Sequence, residues 1–229
     1  MVKRRYTMQG VHLFDRESGI NVLLEETKCP RSRLSIAPAN VSIALWNRCN
    51  RNCIHCFAPK NEAELGFEEI CRWLDELDAN DCLGVGFGGG EPLLYPRIAD
   101  LCRYVHDNTR MACTLTSNGD LIDDSSLEWM CGRVNFVRIS TNGVDIDFGK
   151  ITKLTSRLQV GINYLLNENT FQSLPQKIDE CKNVGIREML LLPQIKTARC
   201  RGVDDEFISR VDAWLLERKT NLRITMSGI

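Results

Sequence analysis

Three cysteines lie within eight residues, in the segment Cys49-Asn-Arg-Asn-Cys53-Ile-His-Cys56. Thiolates at this spacing can converge on one metal centre, and sulfur ligands suit iron–sulfur clusters, zinc or Cu(I). A structural zinc site usually takes four ligands in two pairs, and the chain has no second Cys-x-x-Cys. Three ligands leave one position open, which on a four-iron cluster is an iron atom without a protein ligand.

The other cysteines are isolated along the chain, at positions 29, 71, 82, 102, 113, 131, 181 and 200. We expect a cytoplasmic location, whose reducing conditions keep thiols free, and an odd total of eleven cysteines cannot pair completely, so a disulfide framework is not expected. Cys113 and Cys200 could donate a hydrogen atom to a radical, but a lone cysteine more often acts as a small buried hydrophobe.

A second motif, Gly88-Gly89-Gly90-Glu91-Pro92, is rich in glycine and contains one carboxylate. Glycines would let the backbone approach a ligand closely, because no side chain obstructs it. Glu91 then offers an anion to an ammonium group, and Pro92 fixes the exit from the turn. An ordinary glycine turn is the alternative interpretation of this segment.

Six short apolar runs alternate with amphipathic segments from residue 41 onward. The runs predict strands over 41–46, 83–87, 111–116, 134–140, 158–166 and 187–192. Helical patterns occupy 62–78, 96–107, 123–131, 170–184 and 205–218, and the fourth connection is a short or poor helix. Strands that alternate with helices need right-handed crossovers. We therefore expect a parallel sheet, either open and doubly wound or curled toward a barrel.

The unusual polar motifs all follow the carboxyl ends of predicted strands. The three cysteines follow the first strand, the glycine motif the second, Ser117-Asn118-Gly119 the third and Asn142-Gly143 the fourth. In a parallel α/β sheet these ends are neighbours, and they form the edge at which such sheets bind ligands. The sequence therefore predicts one site assembled from several loops.

Residues 1–40 precede this alternation and are expected to form an N-terminal extension, with a β-hairpin over 11–24. Residues 41–229 are expected to form the core domain. Leu222-Arg-Ile-Thr-Met resembles a seventh strand. A covering helix would normally follow such a strand, so a continuation of the natural chain beyond Ile229 is compatible with the pattern.

The cysteine spacing after the first strand, together with Gly89-Gly90-Glu91-Pro92 after the second, resembles the radical S-adenosylmethionine (radical SAM) superfamily, over about residues 41–193. The resemblance implies a partial (β/α)6 TIM-like barrel instead of an open sheet. It also implies a [4Fe–4S] cluster on Cys49, Cys53 and Cys56, with S-adenosylmethionine bound at the open iron. Reductive cleavage of this cofactor would then give a 5′-deoxyadenosyl radical that takes hydrogen from a substrate.

The resemblance assigns further binding roles. His55, the residue before the third cysteine, would pack near the adenine, while Gly89, Gly90 and Glu91 would bind the methionine amino group. Polar residues that end strands three and four would hold the ribose and carboxylate: Ser117, Asn118, Ser140 and Asn142. The family often has Ser-x-Asp-Gly at strand four. This chain has an asparagine in place of the aspartate, so a carboxylate contact becomes an amide contact.

Several cations could contact an anionic ligand. Strand periodicity places Arg138 on the face of the strand-four site residues, so we expect it to pair with the cofactor carboxylate or an anionic substrate. The loop after strand six carries Lys196, Arg199 and Arg201, which would suit a substrate phosphate or carboxylate. A solvated surface is the more common role of such a loop.

The overall charge is balanced, with 29 Lys+Arg against 30 Asp+Glu and a net charge of −1, which gives no reason to expect nucleic acid or a membrane as partner. No apolar run approaches the ~18 residues of a membrane span. The basic residues at the start have no apolar stretch behind them, so we expect no secretory signal. We expect a radical SAM enzyme with a small-molecule, nucleotide or peptide substrate and a reductant such as flavodoxin or ferredoxin. The alternatives are a non-catalytic zinc or Fe–S module and a degenerate barrel that binds the cofactor without cleaving it.

Overall fold

The computed structural model describes residues 2–25, 29–59, 61–142, 147–218 and 220–227. The chain divides into two compact units. The first contains Met1–Arg48, Lys60–Thr116 and Leu121–Phe136, and the second contains Cys49–Pro59, Ser117–Asp120 and Val137–Ile229. Both units are discontinuous in sequence. The expected organisation was an N-terminal extension, 1–40, followed by a core domain, 41–229. The two units each combine separate segments of the sequence and do not test that organisation, which stays a prediction.

The described strands are β1 (Val2–Tyr6), β2 (Gly10–Asp15), β3 (Asn21–Glu25), β4 (Asn40–Ala44), β5 (Gly84–Gly88), β6 (Ala112–Ser117), β7 (Phe136–Thr141), β8 (Val160–Leu166), β9 (Glu188–Pro193) and β10 (Arg223–Met226). The α-helices are α1 (Phe67–Ala79), α2 (Ile98–Asn108), α3 (Asp124–Met130), α4 (Phe148–Thr155), α5 (Glu168–Asn183) and α6 (Asp205–Leu216). None of the described helices has the length and apolar composition needed to cross a membrane.

In the first unit β4, β5 and β6 are neighbours in that order, and in the second unit the order is β7-β8-β9-β10. The pairs β4–β5, β5–β6, β7–β8, β8–β9 and β9–β10 are parallel. The predicted alternation of six strands and helices is confirmed, including the short fourth helix of eight residues. The tail also forms the predicted seventh strand.

The predicted helix over 62–78 starts five residues too early, since α1 begins at Phe67. Glu64 instead forms an antiparallel bridge with Trp46, and the Leu65 amide donates to the Leu45 carbonyl at 2.9 Å. These pairings hold the preceding segment extended. A favourable apolar spacing was therefore overridden by strand-like hydrogen bonds to a distant part of the chain.

In the first unit, β1, β2 and β3 form an antiparallel sheet. The predicted hairpin is confirmed, but the sequence did not reveal β1. Lys3 of β1 is fully buried, and its Nζ donates to Asp78 Oδ1 at 2.6 Å and to the Cys82 carbonyl at 2.5 Å. The charge is therefore paired and hydrogen-bonded, as a buried lysine requires.

In the second unit, β7 alternates between its two faces as predicted. Val137, Ile139 and Thr141 are buried, while Arg138 and Ser140 are half-buried on the opposite face. The neighbouring helices contribute apolar side chains to the core of this unit, namely Ile151, Leu154, Leu174 and Ile178. This packing fixes the direction in which the polar face of β7 points.

Candidate functional site

The cysteine loop, Cys49–Pro59, contains no helix or strand. Its three cysteines are half-buried. Two hydrogen bonds fold the loop locally, from the Arg51 amide to Cys49 Sγ at 3.4 Å and from the Cys56 amide to the Cys53 carbonyl at 3.3 Å. The loop also bonds to two other segments of the same unit.

The first of these segments is the turn 117–120, which follows β6. Arg51 Nε donates to Asp120 Oδ2 at 2.7 Å, and its Nη2 donates to the other carboxylate oxygen. Asn50 Nδ2 also donates to Asp120 Oδ2 at 3.0 Å. Asn118 Nδ2 donates to Asn50 Oδ1 at 2.8 Å and approaches Cys49 Sγ at 3.9 Å. Asp120 was not a predicted site residue, and only its place after Asn118-Gly119 marks it in the sequence.

The second segment is the loop after β9. Thr197 Oγ1 donates to the Ile54 carbonyl at 3.1 Å. Arg199 donates from Nη1 to Asn52 Oδ1 at 2.7 Å and from Nη2 to the Asn52 carbonyl at 2.9 Å. Of the three cations proposed as a substrate clamp, Arg199 thus contacts the cysteine loop itself.

The side chains of the cysteine loop can be compared with the ligands that the predicted iron–sulfur cluster needs. Among the described residues, no three His, Cys, Asp or Glu side chains are close enough together to hold one metal ion. Three cysteine sulfurs at this spacing nevertheless have the chemistry that iron–sulfur clusters need, and N–H groups close to a ligand sulfur tune such clusters. The donor chemistry of Cys49, Cys53 and Cys56 therefore fits the group, whereas their positions do not show ligation, which stays a prediction.

His55 lies between the second and third cysteines and is half-buried. Burial lowers its pKa below the usual 6.5, because desolvation disfavours the charged ring. The imidazole is therefore neutral at neutral pH. A neutral aromatic ring suits the predicted packing against a purine, and that contact stays a prediction.

The predicted binding residues that follow β6 shape the turn. Ser117 is buried, and its Oγ accepts from the Gly119 amide at 2.9 Å. Asn118 Oδ1 accepts from the Asp120 amide at 3.0 Å. Lys150 of α4 donates to the Gly119 carbonyl at 2.7 Å and to the Asp120 carbonyl at 3.1 Å. Both predicted residues therefore belong to a turn that is fixed from several sides.

The predicted residues of β7 lie on the half-buried face of that strand. Arg138 forms an ion pair with Glu188 of β9. Ser140 Oγ accepts from Asn163 Nδ2 at 3.3 Å. Asn142 follows the strand and is half-buried, whereas the predicted Gly143 lies outside the described residues. The structure therefore gives Arg138 a protein partner that sequence reasoning did not find.

The glycine motif lies in the first unit, where backbone occupies the space beside it. Gly89 has a φ of +122°, and a Cβ there would lie 2.5 Å from the Trp46 carbonyl oxygen. A Cβ on Gly90 would lie 1.9 Å from the Arg48 carbonyl oxygen. The absent side chains thus make room for residues 46–48 of the chain.

Glu91 is 1% exposed, which is unusual for a carboxylate. Its side chain accepts from the Leu93 amide at 3.1 Å and caps the short 3-10 helix Pro92–Leu94. Its carbonyl accepts from the Trp46 indole at 2.9 Å. The Leu93 amide therefore orients the carboxylate, while Trp46 fixes the backbone of Glu91.

Comparisons with known proteins support the predicted family. A family model described as the Radical SAM superfamily matches residues 43–187. The chain is 26% identical over 196 residues to the 7,8-dihydro-6-hydroxymethylpterin dimethyltransferase of Methanocaldococcus jannaschii, covering 82% of this chain and 35% of that protein. It is 25% identical over 182 residues to the Fe-coproporphyrin III synthase of Methanosarcina barkeri, covering 68% and 44%. The chain thus spans less than half the length of these relatives.

Solved structures give the same result for the fold. Streptococcus suis SuiB bound to S-adenosylmethionine matches with a TM-score of 0.78 at 14% identity, covering 99% of this chain and 72% of that chain. SuiB bound to the precursor peptide SuiA matches with a TM-score of 0.78 at 15% identity, covering 99% and 71%. Identities this low show the fold alone. They confirm the predicted class, an α/β fold of the radical SAM partial-barrel type with an added N-terminal antiparallel sheet.

Proposed function

Because the chain belongs to the radical SAM superfamily, whose defining cofactor is a [4Fe–4S] cluster, we propose that it is an enzyme that binds this cluster through Cys49, Cys53 and Cys56. The observation that carries the proposal is the set of three half-buried cysteines on one loop inside the family-matched range. When bound, the cluster and S-adenosylmethionine supply a 5′-deoxyadenosyl radical by reductive cleavage, and this radical abstracts hydrogen from the substrate.

In this proposal, Glu91 accepts a hydrogen bond from the amino group of the cofactor. The support for this role is the place of Glu91 in the Gly89-Gly90-Glu91-Pro92 motif, since a carboxylate suits a charge-assisted hydrogen bond from an ammonium group. The backbone bonds that fix residues 88–91 against 46–48 keep the carboxylate in place before the cofactor arrives. Gly89 and Gly90 contribute by allowing that close backbone packing.

The polar face of β7 and β8 supports binding of the sugar and carboxylate of the cofactor. Asn163 is 7% exposed, and within the described structure its Oδ1 has no hydrogen-bond partner. A buried acceptor without a partner is costly, and a donor hydroxyl close to Ser140 would remove that cost. We assign the same binding role to Asn142, and retain Ser117, Asn118, Arg138 and His55 as cofactor contacts to be tested.

The substrate that we propose is a peptide or another small molecule. The relatives are named for a pterin and a porphyrin, and SuiB was crystallised with a precursor peptide. These differ in shape and charge, so the fold does not select among them. An external one-electron donor such as flavodoxin or ferredoxin would reduce the bound cluster.

Anaerobic reconstitution tests the proposal. We expect a brown protein with about four iron and four sulfide per chain, which releases 5′-deoxyadenosine from S-adenosylmethionine when dithionite is added. A triple Cys49→Ala, Cys53→Ala, Cys56→Ala variant should take up no cluster. A colourless protein with one zinc would instead support a metal-binding module, and a loaded protein that makes no 5′-deoxyadenosine would support a degenerate barrel.

A further inference from the structure

Asp120 connects the turn after β6 with the part of the cysteine loop that follows its first cysteine. Its two carboxylate oxygens accept two hydrogen bonds from Arg51 and one from Asn50. These two residues directly follow Cys49 in the sequence. One side chain thus fixes both residues that come after a proposed cluster ligand, although Asp120 is itself no ligand.

The sulfur of Cys49 lies inside the same network. The Arg51 amide donates to Cys49 Sγ at 3.4 Å, and Asn118 Nδ2 approaches it at 3.9 Å. Asn118 also donates to Asn50 Oδ1 at 2.8 Å, so the turn contacts the loop through two side chains. Movement of Arg51 away from Asp120 would therefore disturb the orientation of the Cys49 thiol.

The turn is rigid enough to act as an anchor. Gly119 has a φ of +81°, and its amide is bound by Ser117 Oγ at 2.9 Å. Lys150 binds two successive carbonyls of the turn from α4. The carboxylate of Asp120 is thus presented from a backbone that is bonded on both sides.

The charges of this pair reinforce each other. Arg51 Nε donates to Asp120 Oδ2 at 2.7 Å and its Nη2 donates to Oδ1, so one guanidinium contacts both carboxylate oxygens. Exposed ion pairs usually contribute little, but paired donors from one guanidinium within a network are the exception.

We propose that Asp120 is a positioning residue, which orders Asn50 and Arg51 so that Cys49 is presented to the cluster. This inference rests on the proposed function, because it assumes that the cysteine loop binds a cluster. The expected consequence of losing Asp120 is a loop that samples many conformations and releases iron more readily. Asp120 touches neither cluster nor cofactor in this role.

The experiment compares Asp120→Ala with Asp212→Ala, which removes an exposed carboxylate from α6. Each protein is reconstituted anaerobically and challenged with an iron chelator, while loss of the cluster is followed by absorbance. We expect release about tenfold faster from Asp120→Ala, in line with the loss of an outer-shell partner, and an unchanged rate from Asp212→Ala. The EPR spectrum of the reduced cluster should also shift in Asp120→Ala alone.

A charge swap, Arg51→Asp with Asp120→Arg, places opposite charges at the same two positions. It therefore distinguishes loss of the ion pair from a general effect on folding. Slower release from the swap than from Asp120→Ala supports the proposal, with urea unfolding showing that the variants are folded. Release from Asp120→Ala at the wild-type rate overturns it, and so does fast release that the swap leaves uncorrected. Failure of the wild-type chain to bind iron would count against the proposed function itself.

Discussion

Arg138 on β7 and Glu188 on β9 form an ion pair that spans the strand between them. Gly161 of β8 is the register partner of both residues. Because glycine has no side chain, the guanidinium can reach across β8 to the carboxylate. This contact makes Arg138 a structural residue of the sheet, in addition to its proposed role toward the cofactor.

Removal of the Glu188 side chain should show how much the ion pair with Arg138 stabilises the fold. Arg138 and Glu188 side chains are 25% and 21% exposed, so the pair is only partly screened by water. We expect Glu188→Ala to destabilise the fold by about 1–2 kcal/mol in urea unfolding, less than a fully buried pair. Arg223→Ala is the control, because Arg223 is 75% exposed and lies 3.8 Å from Glu188. Equal stability of the two variants would contradict the structural role.

The glycine motif gives a second prediction. A Cβ at Gly90 would lie 1.9 Å from a carbonyl oxygen of the backbone, which cannot move as a side chain tip can. We expect Gly90→Ala to lower the free energy of unfolding by about 2 kcal/mol or more. A Cβ at Gly66 would meet no neighbouring atom within 4 Å, so Gly66→Ala should cost less than about 1 kcal/mol. Similar melting curves for both variants would show that the backbone relaxes.

The loop after β9 leads to a prediction about local order. Arg199 makes two hydrogen bonds to Asn52, whereas Lys196 is exposed and has no ion-pair partner among the described residues. Arg199→Ala should speed amide hydrogen exchange in the cysteine loop of the metal-free chain by about tenfold, because the two hydrogen bonds from Arg199 to Asn52 are lost. Lys196→Ala should leave exchange unchanged. If both variants exchange at the wild-type rate, Arg199 does not order the loop.

The buried cysteines should differ from those of the loop in reactivity. Burial, followed by the nearby charge of Glu180, raises the pKa of Cys181 from 9.0 to about 12. Its thiol therefore stays protonated in the folded protein at pH 8, while Cys49 and Cys53 are half-buried and accessible. Brief alkylation of the metal-free chain at that pH, read by peptide mass spectrometry, should label the loop cysteines first. Early labelling of Cys181 would disprove the packing described for α5.

The same pKa fixes the direction of a pH effect. A folded-state pKa above the unfolded value stabilises the protonated fold relative to the ionised one. For a thiol, whose charged form is disfavoured by burial, stability is therefore highest below pH 9 and falls as the pH rises toward about 12. We expect the wild-type chain to lose more stability than Cys181→Ala over this interval. Parallel curves for the two proteins would mean that the thiol titrates alike in both states.

The elements that the sequence predicts correctly are those with a local pattern of apolar and polar residues. The six predicted strands of the parallel sheet begin and end within two residues of their predicted bounds, since each is a short apolar run between polar loops. β1 was not predicted because its buried residue is Lys3, whose charge becomes compatible with burial through its pairing with Asp78 and its bond to the Cys82 carbonyl. The start of α1 was misplaced for the same kind of reason, a long-range pairing of Glu64 with Trp46.

The residues of the candidate site also fall into two groups, those that the local sequence predicts and those that it does not. The cysteine spacing and the glycine motif are readable from neighbouring residues, and both led to the family. Asp120 and Arg199 were not recognised as supports of the loop, because their partners are 69 and 147 residues away. A contact between residues so far apart leaves no periodicity or spacing in the sequence from which it could be predicted. It emerges only when the strands bring distant turns together.

These separations also set an order of events during synthesis. The three thiols leave the ribosome early, whereas Thr197 follows Ile54 by 143 residues. During synthesis the three thiols are therefore present before the loop after β9 can bond to their segment. In the proposed function, a fully ordered loop becomes available to iron and sulfide only after both segments have been synthesised.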